Sequence, residues 1–199
     1  MQDGVYDAFT EKLSAAVAKL NVGNGLSDDV QQGPLIDMAA VEKVEQHIAD
    51  AVAKGAKVAV GGTRHDLGGT FFQPTILTGV SPAMDIYREE TFGPVAPIIP
   101  FDDEEEALSL ANDTHYGLAA YVYTRDIGRA FRMFEGLDFG IIGVNDINPS
   151  AAAAPAKMCR QNASRARQSQ RKRCMGEKYC VRFIIYAVSE EIDFFFQQL

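Results

Sequence analysis

Between residues 95 and 144 the chain alternates three apolar runs with two helical patterns, and no other feature constrains its fold so tightly. Residues 95–101, 118–123 and 139–144 read as strands, and 102–112 and 126–137 read as helices. The strand runs are too continuously apolar for a sheet with one face in water. They point to an α/β fold, part of a doubly wound parallel sheet with flanking helices. In such sheets ligands collect beyond the carboxyl ends of the strands. The loop at 145–150 follows the last strand directly, so topology alone makes it a candidate site.

The preceding hundred residues continue the pattern. Val5, Phe9, Leu13, Val17 and Leu20 recur at helical spacing, with Asp3 placed to cap a helix over 4–20. A second helix is expected over 38–54, capped by Asp37 and stopped at Gly55, with Val41, Val44, Ile48 and Val52 as its buried stripe. Residues 57–60 form a short strand ended by Gly61-Gly62. Residues 71–80 form another, in which Pro74 argues against a central place in a sheet.

Composition matters chiefly because it changes along the chain. At 199 residues and 47% hydrophobic there is enough apolar material for a sizeable core. The net charge of −8 hides a step. Residues 1–156 carry 10 Lys+Arg against 23 Asp+Glu, whereas 157–199 carry 9 against 4. Cys159, Cys174 and Cys180 all fall in that second stretch. The expectation is therefore one body over 1–155 and a basic, then apolar tail over 156–199 of different origin. No apolar run reaches the length of a membrane span, and the first residues lack a basic start followed by an apolar block. A soluble intracellular protein is expected, cytoplasmic or in the mitochondrial matrix.

Within the body, the stretch REETFGPVAP (88–97) sets two acids and an aromatic ahead of a Gly-Pro turn. An ionised carboxylate can accept two hydroxyl donors, and such charge-assisted bonds are the strong ones. The same residues also describe a solvated loop ahead of a strand, with Glu89 facing water or pairing with Arg88. His47, His65 and His115 share no ligand spacing with the cysteines, so no metal site is expected.

QDGVYDAF, GPLID, EETFGP, NDTHYGLAAYVYTRD and GIIGVN, in that order across residues 2–155, resemble the aldehyde dehydrogenase superfamily, and within it the succinate-semialdehyde group. The resemblance covers the latter part of the catalytic domain. It implies that Glu90 grips the hydroxyls of the nicotinamide ribose of NAD or NADP and that Phe92 packs on the ring. It implies a ribose-side place for Lys43, which is equally an ordinary solvated lysine on a helix. On the substrate side it implies that Asn145 lines the aldehyde tunnel and Ser150 helps hold a distal carboxylate. A serine after Asn-Pro is also a common turn former.

The implied activity is oxidation of succinate semialdehyde to succinate through a cysteine thiohemiacetal, with a glutamate-activated water releasing the product. The family's nucleophilic cysteine, its base and its carboxylate-binding arginines belong to motifs upstream of those matched here. No catalytic residue is therefore assigned, and the chain by itself is expected to be inactive. The family forms homo-oligomers, but through chain segments that this sequence does not match.

After AAAAP the family's glycine-rich run gives way to AKMCRQNASRARQSQRKRCMGEKYC. A shifted reading frame or misjoined exon produces a step of this kind. A basic arm binding nucleic acid through phosphates is the other reading, though RARQSQRKR has no interleaved aromatic. Two functions thus stand: part of an aldehyde-oxidising enzyme, or a non-catalytic protein that binds partners through the α/β body or the tail.

Overall fold

The computed structural model describes residues 1–145 and 185–186. Two compact units divide it, one made of Met1–Val5 with the chain from Phe101 onward, the other of Tyr6–Pro100. Helix α1 (Asp3–Val17) opens the chain, with Asp3 inside its first turn rather than ahead of it. An anion there suits the positive helix end as well as a cap would.

In the Tyr6–Pro100 unit, α2 (Met38–Ala53) begins where expected. Asp37 is extended, and its side chain accepts from the Ala40 backbone N–H at 2.8 Å. Gly55 ends the helix region at φ +106, a conformation that costs glycine nothing. The buried arc of α2 is Val41, Val44, His47, Ile48 and Ala51. Val52, expected in that stripe, lies on the arc's far margin in the last turn and is 46% exposed.

Strands β1 (Lys57–Val60), β2 (Thr75–Thr78) and β3 (Val95–Pro97) form a sheet in that order, β1 antiparallel and β3 parallel to β2. The strand that Pro74 seemed to disqualify is therefore the central one. Pro74 sits one residue ahead of β2, and the ladder starts with Thr75 N–H donating to Pro94 O at 2.8 Å. The helix packs on this sheet through Val41, Val44, Ile48, Phe72, Leu77 and Met84, all buried. Short α3 (Asp85–Arg88) follows, its first N–H donating to Asp50 of α2 at 2.8 Å while Lys54 reaches both carboxylates.

The second unit holds α4 (Glu104–Asn112), β4 (Ala119–Val122), α5 (Ile127–Gly136) and β5 (Ile141–Val144). Asp103 and Asp126 cap the two helices through the N–H groups of Glu106 and Arg129, each at 2.9 Å. Strand β4 is buried along its length and lies between β5 and β6 (Ile185–Tyr186), parallel to both. The β4–α5–β5 crossover is thus the parallel unit that the apolar runs required. The Asn112 side chain, bonded at 2.8 Å to Gly136 O and to Asp138 N–H, ties the end of α4 to the end of α5.

The α/β class is as expected, but the strand grouping differs. Residues 95–101, read as the first strand of one continuous parallel sheet, instead supply a three-residue strand paired with β2. Pro97 and Pro100 remove two of the donors that a longer ladder would need.

Candidate cofactor-facing site

One turn of α2 presents Lys43 and His47 on neighbouring positions of the helix, four residues apart. Against them lies the loop that leaves α3. Lys43 Nζ donates to the carbonyl oxygen of Glu90 at 2.7 Å and stands 3.8 Å from the Glu89 carboxylate. His47 is 3% exposed. Its Nε2 is 3.4 Å from Glu89 Oε2 and its Nδ1 3.0 Å from Thr91 Oγ1. Glu89, expected in water or with Arg88, thus has Lys43 and His47 for partners. The Arg88 guanidinium lies 5.0 Å from the centre of the Tyr87 ring, and its Nε donates to Pro82 O at 3.2 Å.

Glu90 is half-buried, and among the described residues none pairs with its carboxylate. Phe92 stands beside it at φ +46, 75% exposed. That backbone region is strained for a bulky side chain by about 1–3 kcal/mol and is concentrated at functional sites. Gly93 then passes so close to α2 that any Cβ would run into Val44 Cγ2. An unpaired carboxylate beside an exposed aromatic offers two acceptor oxygens for a vicinal diol and an apolar face for a flat ring next to it. Glu90, Phe92 and Lys43, singled out from the sequence, are therefore gathered at one loop. His47 and Thr91 were missed. A histidine set one turn beyond Lys43, inside an otherwise apolar stripe, was the available signal.

The substrate-side candidates fall differently. Asn145 follows β5 directly at φ +52, with its N–H bonded to Val122 O at 2.8 Å. Its side-chain amide is taken up by the backbone of Thr124, at 2.9 Å to the N–H and 2.8 Å to the carbonyl. Ser150, the three cysteines and the basic stretch at 165–173 lie outside the described residues. Among the described residues no group of three or more His, Cys, Asp or Glu is placed to hold a metal, and no helix is long and apolar enough to cross a membrane.

Another charged cluster, Glu104 with Arg129 and Arg132, joins α4 to α5. Its carboxyl is lowered to about 2, first by the hydrogen bonds from Arg132 and then by those from Arg129. Every member is paired, which marks a structural bridge.

Residues 1–166 match the family model described as the aldehyde dehydrogenase family. Over 155 residues the chain is 57% identical to the glutarate-semialdehyde dehydrogenase of Pseudomonas aeruginosa, covering 78% of this chain and 32% of that protein. It is 55% identical to the NADP(+) succinate-semialdehyde dehydrogenase of Escherichia coli, again covering 78% and 32%. Among solved structures, succinate-semialdehyde dehydrogenase from Burkholderia pseudomallei superposes with a TM-score of 0.71 at 59% identity, covering 72% of this chain and 30% of that one. The chain thus spans about a third of the length of the curated relatives it matches.

Proposed function

Because this chain belongs to the aldehyde dehydrogenase family, we propose that it serves the oxidation of an aldehyde with a distal carboxylate, succinate semialdehyde or its next homologue, with NAD or NADP as oxidant. The single observation that carries this reading is the half-buried, unpaired carboxylate of Glu90 beside the exposed ring of Phe92. The distal carboxylate is supported by the names of the relatives, which act on glutarate and succinate semialdehydes.

In this reading Glu90 accepts the two ribose hydroxyls and Phe92 lies against the nicotinamide, excluding water from one side. Lys43 holds the Glu90 carbonyl and contributes positive charge near the ribose phosphate. Bound there, the cofactor supplies a two-electron oxidant. The aldehyde end needs a thiolate, and the described residues contain no cysteine. We assign no nucleophile to Cys159, Cys174 or Cys180, so the 199-residue chain alone should not turn over. Ser150 is proposed as a hydroxyl donor to the substrate's carboxylate. We place the boundary between the family-like body and the foreign tail at residues 155–156.

Nicotinamide mononucleotide, which carries only the ring, ribose and phosphate, tests the clamp directly. Titrated into the ¹⁵N-labelled chain, it should shift the amides of residues 89–93, with free nicotinamide giving a weaker response. Glu90→Gln should weaken binding about tenfold, the value of one charge-assisted hydrogen bond. Equal affinity in wild type and Glu90→Gln overturns the reading. Aldehyde-dependent formation of reduced nicotinamide by the chain alone overturns the statement about the nucleophile.

A further inference from the structure

The buried imidazole of His47 sits between the two residues that flank Glu90. We infer that His47 is a positioning residue, tying Glu89 with one ring nitrogen and Thr91 with the other so that the Glu90 carboxylate is held outward. This rests on the reading of Glu90 as the ribose-binding group.

Three observations converge. First, residues 89, 90 and 91 are each anchored to the same turn of α2 by a different atom. Glu89 Oε2 is 3.4 Å from His47 Nε2, Glu90 O accepts from Lys43 Nζ at 2.7 Å, and Thr91 Oγ1 is 3.0 Å from His47 Nδ1. Second, the backbone at Glu89 is extended, at φ −106 and ψ 148. Where a chain is extended, neighbouring side chains point to opposite sides, and here the side chains of 89 and 91 meet α2 while the Glu90 carboxylate has no partner among the described residues. Third, His47 belongs to the buried arc of α2 beside Val44 and Ile48, where an aliphatic residue would pack without polar partners. A polar ring in such a place persists when both nitrogens are satisfied. With Nε2 protonated, Nδ1 accepts the Thr91 hydroxyl proton at 3.0 Å and the Nε2–H faces the Glu89 carboxylate at 3.4 Å. The doubled acid of the loop thus divides into a tether, Glu89, and a binding group, Glu90.

The test uses Glu89→Gln and Thr91→Val in the full chain, because neither position is in the core, while His47→Ala removes a buried ring and can unfold the protein. Backbone ¹⁵N order parameters for residues 90–93, measured without nucleotide, should be near 0.85 in wild type and fall below about 0.6 in both variants. Amides of Val44 and Ile48 should stay rigid. The ¹⁵N resonance of His47 Nδ1 should move in Thr91→Val, as expected when an accepted hydrogen bond is lost. Nicotinamide mononucleotide affinity should fall about three- to tenfold in each variant, the value of a neutral hydrogen bond.

Unchanged order parameters in both variants overturn the inference, whatever the nucleotide does. So does unchanged nucleotide affinity in both variants when Glu90→Gln lowers it. If Glu90→Gln itself leaves affinity intact, the ribose reading has failed, and the order parameters still decide whether His47 positions the loop.

Discussion

The side-chain amide of Asn145 pairs at both ends with the backbone of Thr124, accepting from its N–H at 2.9 Å and donating to its carbonyl at 2.8 Å. The residue mimics one more rung of the β4–β5 ladder just past the last strand residue, Val144. Asn145→Ala should cost about 2 kcal/mol, from two lost hydrogen bonds and an alanine forced to φ +52. Asn145→Gly loses the same bonds but not the conformation, so it should cost less. Urea unfolding followed by far-ultraviolet circular dichroism separates the two. Equal costs would remove the role assigned to the backbone.

Glu104 couples the second unit to pH. Its folded carboxyl titrates at about 2 against an ordinary 4.5, because Arg132 and Arg129 hydrogen-bond the ionised form. A carboxyl lowered on folding binds its proton more weakly in the native state. Its contribution is therefore fully present above about 4.5 and is lost as pH falls from there through 2. Discounted for partial exposure, it is worth about 1 kcal/mol. Glu104→Gln should lower the urea midpoint at pH 7, and the gap between variant and wild type should close as pH approaches 2. A gap that persists at low pH contradicts the assignment.

Gly93→Ala should destabilise the Tyr6–Pro100 unit by about 1–3 kcal/mol, since its methyl would collide with Val44 in the α2 core. Val44→Ala alone should also cost stability by leaving a void. Together they should cost less than the sum, because the smaller side chain at 44 makes room for the methyl at 93. A double-mutant cycle by chemical denaturation measures the coupling, and strict additivity counts against the contact.

Phe92 is held at φ +46 with most of its ring in water. Phe92→Gly should therefore be more stable than Phe92→Ala by about 1 kcal/mol, since only glycine adopts that backbone freely. Both should weaken nicotinamide mononucleotide binding if the ring packs on the nicotinamide. Thermal melts of the two variants give the stability order. An alanine variant at least as stable as the glycine variant would mean that the strain is not there.

Much of the secondary structure was legible because it is local. The Asp37 cap, read from the sequence, bonds to an N–H three residues away, and the apolar period of α2 repeats within four. Asp3 lies inside its helix instead, and the caps Asp103 and Asp126 emerged only in the structure. Strands β4 and β5 were legible as apolar runs bounded by polar turns. Pro74 and the run at 95–101 misled because a proline's effect depends on which side of the strand it stands. Only the pairing with β2 shows that.

At the site, EETFGP by itself also fits a solvated loop, and Glu90 and Phe92 were singled out through the family resemblance carried by the several motifs in order. The resemblance set Glu90 apart from Glu89, but the partners of Glu89, Lys43 and His47 on α2, could not be read because they lie more than forty residues away. His47 looked isolated because its partner Thr91 is 44 residues away in sequence. Asn145 was read as a tunnel residue, and its pairing with Thr124 spans 21 residues.

By itself, then, the sequence determined most of the elements, the Asp37 cap, the alternation that demands parallel strands, and the family whose motifs run in order through the body. The tertiary structure decided the register of β2 with β3 and the contacts that tie residues 89–91 to α2. The first set depends on interactions within a turn or a strand, whose energies are functions of neighbouring residues. The second depends on groups that become neighbours only when distant segments pack. There, the buried imidazole of His47 meets Glu89 and Thr91, and the Glu90 carboxylate has no partner among the described residues.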